Sequence, residues 1–186
     1  MKKILTLLLA LLIGGVASSQ QEITLEDIWA KGTFRGKGID GIRSMNDGKH
    51  YCILTQNAIE KYDYAKASKV GEVVNFSGLD LKGYVVDYQF SKDESKVLLI
   101  LNPEMIYRHS YLADCFVYDI ATKKLTSVAK EKVRLAEFSP NSQKVAYVSN
   151  NNIFIFFFAS LQTKQITTDG EYNHIINGTT DWVYEE

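Results

Sequence analysis

The feature that most narrows the fold of this chain is a weak internal repeat. Phe90-Ser91-Lys92-Asp93-Glu94-Ser95-Lys96 runs into Val97-Leu98-Leu99-Ile100, and Phe138-Ser139-Pro140-Asn141-Ser142-Gln143-Lys144 runs into Val145-Ala146-Tyr147-Val148. A degenerate copy stands at Met45-Asn46-Asp47-Gly48-Lys49-His50-Tyr51. The three starts lie 45 and 48 residues apart, close to the length of one blade of a β-propeller. Each copy reads as strand, polar turn, strand. Ser, Asp, Asn, Gly and Pro bend the chain through local hydrogen bonds and preset dihedrals, and the Val- and Tyr-rich run that follows returns as a buried strand. Further on, Ile59-Glu60-Lys61-Tyr62-Asp63-Tyr64 and Phe116-Val117-Tyr118-Asp119-Ile120 alternate as outer strands, and Thr122-Lys123-Lys124 and Thr163-Lys164 supply the next turns. The expected fold is therefore all-β, a partial propeller of about three four-stranded antiparallel blades. Closing a propeller typically takes four to eight blades, so a truncated part of a larger propeller is expected.

The second unit is longer than its neighbours. Tyr118 lies 28 residues after Phe90, where Tyr62 lies 17 after Met45. The excess falls around Asn102-Pro103-Glu104-Met105-Ile106-Tyr107-Arg108-His109-Ser110-Tyr111. Extra length between two strands makes a surface loop or an extended hairpin, and such loops often carry function. Repeat arithmetic alone thus flags Arg108 and its neighbours.

Residues 1–19 follow a different logic. Lys2 and Lys3 precede an apolar run at 4–13 and the small residues Gly14-Gly15-Val16-Ala17-Ser18-Ser19. This is the layout of a secretory signal peptide, with Ala17 and Ser19 as the cleavage pair. The expected mature segment is 20–186, exported to the periplasm, the cell surface or the medium. A formal net charge of -1 gives no electrostatic case for nucleic acid or an anionic membrane. Export permits a disulfide, but Cys52 and Cys115 each sit in an apolar, strand-like run, where buried free thiols are expected.

Several motifs fail on context. Gly36-Lys37-Gly38-Ile39-Asp40-Gly41 spells G-x-G-x-x-G, but Ile42-Arg43-Ser44-Met45 after it reads as strand and turn rather than the helix a dinucleotide site needs. His50, His109 and His174 are scattered and no C-x-x-C occurs, so neither a metal nor a cofactor is expected. No G-x-S-x-G elbow is present, and no catalytic residue is assigned. The Phe154 to Phe158 stretch is expected to be a buried strand with at least one ring on its opposite side, and a local aggregation liability.

Glu185 and Glu186 remain. Adjacent carboxylates are usually a solvated turn. Here they follow Asp181-Trp182-Val183-Tyr184, an aromatic context able to hold them. Their mutual repulsion is relieved by a cation, whether a bound amine or a nearby arginine. Arg108 offers the complementary half, because a guanidinium donates to a carbonyl or carboxylate through several N–H groups. Together these three residues would form a site for the free N-terminus of a peptide.

At this point the chain resembles the dipeptidyl peptidase IV branch of the prolyl oligopeptidase superfamily, its bacterial, Bacteroidetes-like members most of all. The strings that carry the resemblance are Gly41-Ile42-Arg43-Ser44-Met45 with Asp47-Gly48, Tyr107-Arg108-His109-Ser110-Tyr111, Asn151-Asn152-Ile153-Phe154-Ile155, Thr167-Thr168-Asp169-Gly170, and Asn177-Gly178 leading to Asp181-Trp182-Val183-Tyr184-Glu185-Glu186. The resemblance implies an eight-bladed propeller packed on an α/β-hydrolase domain, a homodimer of the full-length enzyme, and release of dipeptides from N-termini whose second residue is Pro or Ala. It implies that Arg108 hydrogen-bonds a substrate carbonyl. The family's second and third glutamates bind the substrate amine; Glu186 corresponds to the second, Glu185 to a supporting first, and the third would be the next residue. It also implies that the nucleophile, aspartate and histidine lie beyond residue 186, so this chain alone should not hydrolyse peptides. The run Phe156-Phe157-Phe158 departs from the polar or basic residues common there. A second function remains open, a non-catalytic periplasmic propeller that scaffolds other proteins, because fold does not fix function.

Overall fold

The computed structural model describes residues 22–36, 38, 41–181, 183 and 184. The expected leader at 1–19 and both Glu185 and Glu186 lie outside them. The chain divides into two units, residues 1–38 and 39–186. The first contains α1 (Leu25–Trp29), an element that strand periodicity does not announce. Its start is a capping box: Asp27 N donates to Thr24 Oγ1 at 3.1 Å, and Thr24 N donates to the Asp27 carboxylate at 3.2 Å. Lys31 closes on Asp27 at 2.9 Å.

Among the described residues of the second unit, twelve strands form three antiparallel four-stranded sheets, each in sequence order. The first holds β1 (Arg43–Ser44), β2 (His50–Leu54), β3 (Ala58–Asp63) and β4 (Ser68–Asn75). The second holds β5 (Val85–Phe90), β6 (Lys96–Met105), β7 (Tyr111–Asp119) and β8 (Lys124–Ser127). The third holds β9 (Arg134–Phe138), β10 (Lys144–Ser149), β11 (Asn152–Phe157) and β12 (Gln162–Gln165). The expected three blades are present, and the strands fall where the repeat puts them.

Side chains alternate across a strand, and the middle sheet uses both of its faces. Val97, Leu99 and Leu101 of β6 join Tyr88 and Tyr118 against Cys52, Ile59 and Val74 of the first sheet. Leu98 joins Cys115 and Val117 against Val145, Tyr147 and Phe156 of the third. The four β6 residues Val97, Leu98, Leu99 and Leu101 are fully buried, each such side chain contributing about 1.5–3 kcal/mol. A strand that reads as a continuous apolar run is the signature of burial on both faces.

The phenylalanine run obeys the same period. Phe156 and Phe154 lie opposite Val145 and Tyr147 and face the second sheet, with the Phe154 ring stacked on Tyr147 at 5.4 Å. Phe157 turns the other way and takes the Lys144 ammonium over its ring at 4.9 Å. On that far side the chain after β12 folds back. Gly178, at φ +78°, comes so near Val148 and Ile153 that a Cβ would sit 2.8 Å from each.

One turn is built three times. Met45, Ser91 and Ser139 each donate a backbone N–H to the carbonyl five residues on, at His50, Lys96 and Lys144, all at 2.9 Å. Asp47, Asp93 and Asn141 follow two places later and accept backbone N–H groups inside the turn. The next residue is left-handed in every copy: Gly48 at φ 64°, Glu94 at 54° and Ser142 at 57°. The structural repeat therefore runs Met45, Ser91, Ser139, spaced 46 and 48 residues, one residue off the expected first interval. Met45 takes the place of the turn serine, and its lack of a hydroxyl hid the correct alignment. The turns also bind one another: Asn46 N donates to Glu94 Oε1 at 2.6 Å and Asp93 N to Ser142 Oγ at 3.4 Å.

Two predictions follow from the turn and the cores. Hydrogen bonds from Ser91 and from the Ser95 N–H hold the Asp93 carboxyl below the usual carboxylate range. A depressed folded pKa stabilises above the unfolded value near 3.9 and loses that stabilisation as pH falls further. The urea midpoint should drop between about pH 5 and pH 2, and Asp93→Asn, which keeps the acceptor that Asn141 supplies in the third sheet, should flatten part of that drop; an unaltered profile would count against this role. Burial pushes the Cys52 thiol up to about 11 and the Cys115 thiol up to about 12, and both are unpaired. Neither should react with a disulfide-exchange reagent at neutral pH until denaturant is added, and rapid labelling of the folded chain would contradict the packing.

Candidate functional site

The extra residues of the second repeat copy form an extension of the β6–β7 hairpin rather than a separate loop. Pairing runs from Lys96 with Asp119 to Leu101 with Asp114, shifts, and resumes at Glu104 with Leu112 and Met105 with Tyr111. The shift inserts one additional residue on β6, a β-bulge at Asn102-Pro103, and bulges bend a strand and re-aim what lies beyond. Proline is tolerated there because a bulge needs no ladder N–H. Asn102 takes the left-handed conformation at φ 49°, which asparagine accepts more readily than most residues. Its amide donates to Asp114 Oδ2 at 2.9 Å and to Lys82 O at 2.7 Å.

Beyond the bulge the tip closes on itself. Ile106 N and Tyr107 N both donate to Ser110 O, at 2.9 and 3.3 Å. Arg108 and His109 are exposed at this tip, whereas Ser110 is buried. The flank is clamped to the third sheet: Ala113 and Val133 exchange two backbone hydrogen bonds of 2.9 Å. Lys132 adds an ion pair to Glu104 at 2.6 Å, but a pair this open to solvent is worth about 0–1 kcal/mol. The backbone clamp positions the hairpin.

The predicted site residues are distributed as follows. Arg108 stands at the exposed tip of the hairpin. Glu185 and Glu186 lie outside the described residues. The segment leading to them is anchored to the third sheet. The buried Asn152 accepts from Thr167 Oγ1 and Gly170 N through its Oδ1, each at 3.0 Å. Asn177 N donates to Asn151 O at 3.1 Å. Asp181 Oδ1 accepts from Val183 N at 2.9 Å and Tyr184 N at 3.1 Å, a local turn just before the glutamates. In an antiparallel meander the β2–β3, β6–β7 and β10–β11 connections leave at one end of the sheets. Asn151, at the β10–β11 connection, therefore belongs to the same end as Arg108.

Toward the inner edges of the first two sheets, Arg43 of β1 pairs with Asp87 of β5 at 3.0 Å and lies over the Tyr88 ring at 5.6 Å. The buried Tyr88 hydroxyl donates to Gly41 O at 2.7 Å. Gly41, the last glycine of the G-x-G-x-x-G string, is at φ +62° against Leu54 and Tyr88. It leads into β1, so its use is structural.

Two cavities flank the second and third sheets. The larger, about 510 Å³, is walled by Val128, Tyr147, Phe154 and Leu161 and shares no lining residue with the hairpin tip. The smaller, about 240 Å³, is lined by His109, Ser110, Tyr111 and Arg134 among others. Ser110 falls within the flagged 102–111 stretch, whereas Arg134 was not singled out from sequence. Arg134 sits in no spacing that advertises chemistry, and only the Ala113–Val133 clamp brings the two together. Among the described residues no group of three or more His, Cys, Asp or Glu side chains could hold a metal.

Known proteins share this fold. The family described as the dipeptidyl peptidase IV (DPP IV) N-terminal region matches residues 91–186. Dipeptidyl peptidase 4 of Sus scrofa is 34% identical over 177 residues, 91% of this chain and 22% of that protein. Dipeptidyl peptidase 4 of Trichophyton rubrum is 42% identical over 108 residues, 56% of this chain and 13% of the relative. The crystal structure of Porphyromonas gingivalis dipeptidyl peptidase 4 superposes with a TM-score of 0.80 at 36% identity, covering 89% of this chain and 24% of that one. The chain thus spans less than a quarter of the length of these relatives. On the sheets, the repeated turn and the matched residues, this chain belongs to the dipeptidyl peptidase IV N-terminal region family.

Proposed function

We propose that this chain is the substrate-recognition part of a serine-type dipeptidyl peptidase that releases dipeptides from peptide N-termini with Pro or Ala second. What supports this most is the placement of Arg108: the R-H-S-Y string of a dipeptidyl peptidase IV relative stands at the exposed tip of a hairpin aimed by a bulge and clamped at its base. An exposed guanidinium on a fixed backbone is suited to donate to the carbonyl after the first substrate residue. Glu186, supported by Glu185, takes the substrate ammonium, so that a peptide is gripped by its charged end and its first carbonyl together. Binding at two points fixes how far the chain reaches from the site, which is what measures off two residues. Cleavage belongs to an α/β-hydrolase domain of a longer protein. Residues 1–19 act as the leader that sends this protein out of the cytoplasm.

The test is turnover of a Xaa-Pro chromogenic substrate by the longer protein. Arg108→Ala should lower kcat/KM by about 10- to 100-fold, the loss of one charge-assisted hydrogen bond, with Arg108→Lys in between. Glu186→Gln should raise KM for substrates with a free amine. Unchanged turnover in Arg108→Ala would remove this residue from the site.

A further inference from the structure

The smaller cavity holds two buried polar atoms with nothing to bond. Ser110 is 7% exposed and its Oγ has no hydrogen-bond partner; Arg134 Nε is equally buried and equally unpartnered. Both line one cavity of about 240 Å³, between the Arg108 hairpin and β9. Buried donors are almost always satisfied, and an orphan in a native fold calls for an explanation. A single ordered water takes about 30 Å³, so this space admits a group several heavy atoms larger.

The local backbone is shaped around the same cavity. β9 carries an extra residue relative to β10: Glu137 pairs with Ala146 and Arg134 with Val148. Leu135 lies within this bulge at φ 51° with its side chain exposed, a conformation that is costly for leucine. The strand thus departs from regular pairing at the point where it presents Arg134 to the cavity. Val133, immediately before, is held by the two-bond clamp to Ala113, so Arg134 and Ser110 are positioned by one feature.

We propose that this cavity is a binding site for an aliphatic monocarboxylate. A guanidinium repels cations, and its planar fork matches the two oxygens of a carboxylate. The Ser110 hydroxyl supplies a further donor. Ile100, Val133 and Leu135 give the cavity apolar walls for a short methylene tail. Glu137, exposed at the rim, disfavours a second negative charge and so selects against dicarboxylates. The carboxylate comes either from a free short-chain acid or from an acidic side chain of a bound peptide. For a free acid the site stands independently of the peptide-end grip assigned to Arg108 and Glu186; for a peptide side chain it rests on that reading.

The test uses the full chain, with butyrate as probe and butyramide as its uncharged match, read by calorimetric titration and by thermal melting. Butyrate should bind and raise Tm while butyramide does neither. Arg134→Ala should weaken butyrate binding at least tenfold. Ser110→Ala removes an unsatisfied hydroxyl, so its Tm without ligand should be unchanged or higher, yet its butyrate affinity should fall several-fold. That combination separates a ligand contact from a packing role. In a second arm, Glu-Pro-Gly-amide is compared with Gln-Pro-Gly-amide. Tighter binding of the acidic peptide, lost in Arg134→Ala, assigns the site to a peptide side chain; butyrate binding without such a preference assigns it to a free acid. Equal responses to butyrate and butyramide together with equal peptide affinities, or variants that bind as the parent does, would overturn the proposal.

Discussion

Strand β6 is buried from both sides. Val97, Leu99 and Leu101 face the first sheet while Leu98 faces the third, and this two-sided burial fixes the second sheet between its neighbours. A shift of one residue in register would exchange the two faces. With the sheets so locked, the three turns at one end meet edge to edge, and the connections at the other end emerge in a set arrangement. The Arg108 hairpin is one of those connections, and it inherits its position from the packing beneath it.

Both candidate sites lie at departures from regularity on that scaffold. The Asn102-Pro103 bulge bends the hairpin, and the β9 bulge at Leu135 turns Arg134 toward a cavity. Both lie on the second and third sheets, and the Ala113–Val133 clamp joins them. Bulges recur beside functional sites because an added residue changes where a side chain points without disturbing the core. The exposed ion pairs nearby contribute little by comparison; the clamp and the apolar sheet faces carry the geometry.

Much of the fold was legible because a strand's period of two and a polar turn leave marks in the sequence. Phe90-Ser91 and Phe138-Ser139 located two turns correctly. Met45 misled by one residue because it replaces the serine whose hydroxyl closes the other two turns. The added length at 102–111 announced an extended hairpin, but its direction depends on the left-handed Asn102 and on Asp114, a partner twelve residues away. Helix α1 was missed because five residues give too little periodicity; its signal was the Thr24–Asp27 cap. Arg108 could be named from the length excess and from its motif. Ser110 lay in the same flagged stretch, but Arg134 and the cavity the two share could not be read, since that cavity depends on a single long-range bridge. Glu185 and Glu186 were named from sequence and lie outside the described residues.

The central claim is that a peptide's N-terminus is held between Arg108 and Glu186. A crystal structure of the protein with a bound Ala-Pro dipeptide tests it most directly. The account predicts the ammonium within about 3 Å of the Glu186 carboxylate and the first carbonyl accepting a hydrogen bond from Arg108. A dipeptide bound elsewhere, or the guanidinium and the carboxylate on opposite faces of the sheets, would contradict it.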